Sequence, residues 1–521
     1  MARFSLLAGF SSGQLWLVPA SIAALATGLW LAPTLASAQT VPGSDVGNNA
    51  PRNGPGPLNS QPLDKEKAMA MKVPGSFTFV AAGDLIDLHP VAKRIDPDIQ
   101  ATLKIIRDAD AAAGNMEANI ADRHHYAGSV SDHTGDSVVA EDVKSMGFDI
   151  VTRANNHATD EGVAIMMETA RNLEAQGIVY AGTGRNLGEA RAAQFVELPK
   201  GRVGLVGMLS QGINGGSEAA TYAFSGDPGR PGVNILHLTT FHVLPQEQID
   251  ELRKMRDEAY THRTEFSNPV EPLSAKESKT TLNFWGTMYK AGTAPGGLSY
   301  TMNAEDEREI LRSIRNGKEL SDYMIAIIHS HEDNSLLQTL FLSENTPEFL
   351  VKFAHETIDN GADVFIGTGP HVLRGVEIYH GKPIFYGLSS LVNYWSTGNP
   401  PLSAYLGHHL NPFDTEYTGT DLDYDGAAFR LAIPIDFDSV FGECKYQDGK
   451  LTEVILHPID QGYDLPQADR GTPRAAHGAA AQRILQHLQD LSKPFGTTIA
   501  IVGETGVIRV DPGQAGKPTK Y

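Results

Sequence analysis

Apolar and polar positions along this chain follow two alternating periods. Short apolar runs at 111–117, 148–153, 178–181, 202–209, 323–329, 363–367, 376–379 and 384–387 read as strands, as do two later runs at 428–436 and 451–457. Stretches with helical spacing lie near 91–109, 138–147, 161–176, 244–260, 304–317, 346–360 and 475–492. Ordered structure is expected to open at Ser76-Phe77-Thr78-Phe79-Val80-Ala81-Ala82, a β run that ends in Gly83-Asp84. The alternation predicts an α/β fold. Residues 211–300 interrupt it with Gly-rich and mixed-charge sequence and read as an insertion beside the active site. The aromatic-bearing stretch 393–426 has the composition of a long loop suited to a functional lid.

The N-terminal part divides differently. Arg3 precedes an almost wholly apolar run at 15–35, and Ala36-Ser37-Ala38 supplies the small-x-small pattern of a signal-peptidase site. Residues 1–38 are therefore expected to form a cleaved signal peptide, the competing reading being an uncleaved anchor helix, and the chain is expected in the periplasm, outside the cell or at its surface. Residues 39–75, rich in Pro, Gly and Asn, read as a flexible linker. No later run is long and apolar enough to cross a membrane.

Composition narrows the function. The chain has 521 residues, enough for one large catalytic domain with insertions or for two domains. A formal net charge of −20 disfavours nucleic acid and anionic lipid as partners. It leaves room for an anionic substrate, because a bound dication reverses the potential locally. The single cysteine, Cys444, rules out an intrachain disulfide and any Cys-rich zinc module.

Chemistry-bearing residues follow the strands. Asp84 ends the first, with Asp87 and His89 just beyond; Gly114-Asn115-Met116-Glu117 ends the next. Ala154-Asn155-Asn156-His157-Ala158-Thr159-Asp160-Glu161-Gly162 follows a third, with an amide, an imidazole and a carboxylate that can orient the imidazole. His329-Ser330-His331-Glu332-Asp333 ends a fourth, and Gly367-Thr368-Gly369-Pro370-His371 a fifth, with Arg374 close enough to help clamp an anionic oxygen. In an open α/β sheet the carboxyl ends of strands gather along one edge, so these clusters are expected to meet. Carboxylate, amide and imidazole donors together suit a two-metal hydrolase, and nitrogen ligands favour Zn, Mn or Fe over Mg or Ca.

The order of these motifs resembles the CapA family, named for bacterial poly-γ-glutamate capsule synthesis, which is itself similar to the calcineurin-like metallophosphoesterases. The resemblance rests on Gly83-Asp84, Gly114-Asn115-Met116-Glu117, the Asn155-Asn156-His157 block through Gly162, Tyr180-Ala181-Gly182-Thr183-Gly184, His329-Ser330-His331-Glu332 and the run from Gly361 through Leu388. It spans roughly 76–395 and leaves 396–521 as an extension completing the fold. It implies a four-layer α/β/β/α sandwich with two divalent ions (Mn, Fe or Zn) at the strand ends. By position it makes Asp84, Glu117, Asn156, His329 and His371 metal ligands, with Glu117 the bridge. It makes His157, paired with Asp160, the catalytic imidazole, and His331 and Arg374 substrate-binding residues. Two departures stand out. Thr368 occupies a position where many relatives carry His, which leaves one metal position to another residue such as His331 or His89, or reduces the site to one ion. Gly387-Leu388-Ser389-Ser390 replaces a Ser-Leu-Gly-Asn signature.

The leading functional expectation is a secreted, metal-dependent, phosphoesterase-like hydrolase acting on a phosphoester or an anionic envelope or capsule polymer. A second is a non-catalytic accessory protein in synthesis or export of such a polymer, working with capsule-synthesis membrane proteins. A third is a metal-dependent isomerase or amide-bond enzyme on the same scaffold.

Overall fold

The computed structural model describes residues 68–122, 133–211, 217–261, 277–293, 296–335, 343–394, 434–466 and 469–510. The expected signal peptide, the linker up to residue 67, nearly all of the aromatic loop and the run 428–433 lie outside them.

Two ten-stranded sheets organise the described residues. In the first, the strand Ser76–Ile86 is central. On one side it pairs in parallel with Ala111–Met116, which pairs with Ile150–Thr152 and that with Val179–Ala181. On the other side the antiparallel strands Asp438–Gln447 and Lys450–Asp460 continue the sheet. In the second sheet Tyr323–His329 lies parallel between Gly201–Gln211 and Val364–Thr368.

Alternation along the central strands explains the packing. Phe79 and Ala81 join Leu205, Ile325, Ile327 and Ile366 in one apolar cluster fed by both sheets, and the Phe79 ring sits 5.1 Å from that of Tyr323. Val80 and Ala82, pointing the other way, pack with Ile99, Leu103, Val139 and Val143 from the helices Pro97–Asp108 and Val138–Met146. Met324, Ala326 and Ile328 likewise turn to Ile310, Ile314, Leu350 and Phe353 of the helices Ala304–Leu320 and Glu348–Asp359. Each sheet therefore buries both faces, which is why its parallel strands read as unbroken apolar runs.

Three boundaries differ from expectation. The helix anticipated from 91 begins at Pro97, because Asp96 is held extended before proline and its carboxylate caps the amides of Asp98 and Ile99. The described end of the 428–436 run, Pro434–Phe437, is a 3-10 turn, and the strand starts at Asp438; Pro434 has no amide to donate to a ladder. Within 211–300, Ile235–Leu244 pairs in parallel with Gly201–Gln211, and Thr281–Phe284, Thr287–Ala291 and Leu298–Met302 widen the second sheet. These strands bury their side chains only in part, so their apolar signal is weak. Among the described residues no helix is long and apolar enough to cross a membrane.

Candidate metal centre

The carboxyl ends of the strands converge on a buried polar cluster. Gly83 permits the first step. A Cβ there would meet the Ser389 carbonyl oxygen at 1.7 Å, so only glycine lets the strand pass the 388–390 turn, whose Ser389 sits at φ 61°. Asp84 then donates its amide to Ser389 (3.1 Å) and carries its carboxylate fully buried into the cluster. One oxygen accepts from the Asn115 side-chain amide (2.8 Å) and the other from the Gly369 backbone amide (3.1 Å).

Asn115 ties four strands together. Besides Asp84, its amide nitrogen lies 3.0 Å from His329 Nδ1, and its oxygen accepts from Asn155 (3.1 Å). Asn155 also donates to the Met116 carbonyl (3.0 Å) and accepts from the His157 amide (3.1 Å), so it braces the turn that presents Asn156 and His157. Arg153, buried, donates to the Met116 and Ala118 carbonyls and to Asn119, clamping the turn around Glu117.

Glu117 is the centre of the arrangement. It is fully buried, and among the described residues neither carboxylate oxygen has a hydrogen-bond partner. Its Oε1 lies 3.7 Å from His371 Nε2, 3.9 Å from His329 Nε2 and 3.9 Å from His157 Nε2. Two sets of ligand atoms come within 4.8 Å of one another here, Asp84 with Glu117 and His371, and Glu117 with His329 and His331. Glu117 belongs to both. Asn156 Oδ1 is a further buried oxygen without a hydrogen bond. A buried carboxylate lacking donors is costly, and a divalent cation is the natural partner for such a set of oxygens and imidazoles. The residues fit a metal.

Electrostatics point the same way. Burial alone would raise Asp84, but hydrogen bonds and charge from His329 and His371 outweigh it and hold the carboxyl well below its ordinary range. Burial, then the adjacent Asp84 charge, push Glu117 well above the ordinary glutamate value. Burial lowers His329, and His331 is driven well down by burial and by the neighbouring His329 and His371. Neutral imidazoles are the ligand form.

Beside this cluster His157 Nδ1 pairs with Asp160 at 2.7 Å, which turns Nε2 toward Glu117. His133 stacks on the His157 ring at 3.6 Å, and Asn119 donates to the His157 carbonyl (2.8 Å) and to Glu161 (2.7 Å). His371, at φ 54°, faces Ser390 Oγ (3.2 Å) and Asp84 (3.4 Å) through Nδ1. Thr368 places its hydroxyl 3.1 Å from His329 Nδ1.

The two residues read as substrate-binding are both buried. Arg374 is fully buried and gives Nη2 to the Glu332 carbonyl and Nε to the Ser343 carbonyl (both 2.9 Å), which braces the loop after His329, while its Nη1 has no hydrogen bond among the described residues. His331 lies inside the cluster, its Nε2 3.0 Å from His329 Nε2. His89 is exposed and packs edge-on to Tyr394 (5.5 Å). Asn115, Asn155 and Thr368 were in the quoted motifs without a role, and their function emerges only from the side chains they bridge. His133 carries no strand-end signal at all.

Comparison with known proteins agrees with the motif order. Residues 78–394 match the model of the family described as bacterial capsule synthesis protein PGA_cap. Two proteins of Sinorhizobium fredii (strain NBRC 101917 / NGR234), the uncharacterized proteins y4sH and y4uA, are each 34% identical over 474 residues, covering 87% of this chain and 97% of the relative. The PGA biosynthesis protein CapA of Bacillus subtilis (strain 168) is 24% identical over 393 residues, 73% of this chain and 81% of that protein. The matched span is more than half of the chain and contains every strand end described above, and the chain belongs to the PGA_cap capsule synthesis family.

Proposed function

We propose that this protein is an exported, metal-dependent, phosphoesterase-like hydrolase that acts on an anionic capsule or envelope polymer. One observation carries the reading: the Glu117 carboxylate is buried with no hydrogen-bond donor among the described residues, and three imidazole Nε2 atoms stand 3.7–3.9 Å from its Oε1. Two divalent ions (Mn, Fe or Zn) sharing Glu117 would polarise a substrate oxygen and lower the pKa of an attacking water. Asp84, Glu117, Asn156, His329 and His371 would hold them. The faces described above, helices against sheet, sheet against sheet and sheet against helices, support a four-layer sandwich.

His157 works from outside that set. Asp160 fixes its tautomer and orientation through Nδ1, and the stacked His133 ring limits its tilt. With Nδ1–H held by the Asp160 carboxylate, the imidazolium form presents Nε2–H and can give that proton to a departing oxygen, leaving the neutral ring. Because the chain carries a net charge of −20, local attraction for an anionic polymer has to come from this site.

The purified mature protein should contain stoichiometric transition metal and turn over an aryl phosphodiester or monoester, and Asn156→Ala should lower both. A protein that binds no metal and hydrolyses neither ester overturns the proposal. A second reading, a non-catalytic accessory in polymer synthesis or export, is favoured by the similarity to the Bacillus PGA biosynthesis protein. It predicts that Glu117→Ala and His157→Ala chains still restore polymer export in a strain lacking the gene.

A further inference from the structure

We infer that His331 is a metal ligand that completes, with Glu117 and His329, the position of the second cation. The inference rests on the metal-dependent reading above and assigns one ligand within it.

Geometry favours ligation. His329 Nε2 and His331 Nε2 are 3.0 Å apart, and Glu117 Oε1 lies 3.9 Å from the former. Two nitrogens bound at about 2.1 Å and at right angles to each other on one ion stand about 3.0 Å apart. The rings meet at 70°, so their Nε2 edges approach a common point rather than stacking.

The opposite edge of His329 is already engaged. Thr368, its register partner on the next strand, faces Nδ1 with its hydroxyl at 3.1 Å. Asn115 Nδ2 lies 3.0 Å from the same Nδ1, so that edge of the ring is held by two strands and Nε2 is the edge turned to His331 and Glu117. Thr368 therefore orients a ligand rather than being one.

His331 is presented from a fixed backbone. The Glu332 carbonyl accepts from Arg374 Nη2 (2.9 Å), and the Glu332 carboxylate accepts from Ser330 Oγ (2.8 Å) and Ser210 Oγ. The Asp333 carbonyl accepts from the Tyr300 hydroxyl (2.7 Å). With only 8% of its surface exposed, His331 is badly placed to meet a polymer and well placed to meet an ion. A simple N–H···N bond between His329 and His331 accounts for their separation too, but gives Glu117 no partner.

The test is elemental analysis of the purified full chain after manganese loading, with electron paramagnetic resonance to detect a coupled manganese pair. His331→Phe should contain one equivalent less than the wild type and lack the coupled signal, while its circular dichroism stays that of the wild type. Should the phenylalanine variant misfold, His331→Gln provides the same reading with a smaller polar side chain. Unchanged metal content with a retained pair signal overturns the assignment of His331 alone. A wild-type chain that takes up none of manganese, iron or zinc overturns the metal-dependent reading itself.

Discussion

Two buried charged clusters bracket the strand Tyr323–His329, and they differ in one respect. At its amino end Lys318 Nζ lies 2.6 Å from Asp363 Oδ2, which also accepts the Met324 amide (2.8 Å), while Lys382 stands 3.2 Å from Oδ1. Every charge there faces an opposite charge or a donor supplied by the chain. At its carboxyl end Glu117 has no hydrogen-bond donor among the described residues, yet it is surrounded by imidazoles. Burial and charge are shared by both clusters. Asp363 Oδ1 also lacks a hydrogen bond but faces the Lys382 ammonium, whereas both Glu117 oxygens lack one among the described residues and have imidazoles rather than an ammonium near them, and that separates a device holding the fold from a place built to receive something.

The sharpest way to break this comparison is to remove the open carboxylate. Glu117→Gln should lower phosphoester turnover by about 10³-fold or more and abolish stoichiometric metal. The melting temperature of the metal-free protein should hold or rise, since a neutral amide replaces an uncompensated carboxylate. Next, His157→Ala should reduce turnover by about 10²–10⁴-fold with metal content kept, because proton transfer alone is lost. A fall in metal content would show that His157 is a ligand.

The closed cluster should respond in the opposite currency. Asp363→Ala leaves Lys318 buried without its partner and should destabilise the protein by about 3–5 kcal/mol in urea unfolding. Turnover per folded molecule should be unchanged. Thr368→Val removes the hydroxyl facing His329 and should weaken metal affinity by about 10–100-fold, read by titration against a chelator.

The smallest effect is a slope with pH. Glu117 is raised by burial and by Asp84, so its contribution favours the fold below the unfolded glutamate pKa of about 4.3 and is lost as pH rises toward its folded value. Metal-free protein should lose up to about 1.4 kcal/mol per pH unit in that window, and Glu117→Gln should flatten the slope. Asp84 acts in a separate window. Its folded pKa is depressed, so its contribution is present above about pH 4 and lost as pH falls through the lowered value.

Much of the scaffold was legible. The runs at 323–329 and 376–379 coincide with strands, and in the first a sheet buried on both faces accounts for the unbroken apolar run from Tyr323 to Ile328. Most helices lay within a few residues of their bounds, with Asn303 capping the amides of Glu305 and Asp306. The half-buried strands between Ile235 and Met302 escaped notice because exposed and covered positions mix there. Arg374 illustrates the other gap. Its place near a histidine motif suggested an anion clamp, whereas its partners are carbonyls at Glu332 and Ser343, the latter 31 positions away.

By itself, the amino-acid sequence determined where strands end and which residue types wait there, since period and composition are local properties. Tertiary structure decided which of those groups meet. Whether a carboxylate meets lysines, as at Asp363, or imidazoles, as at Glu117, depends on groups brought from distant strands, and hydrogen bonds and charges act only over a few ångströms.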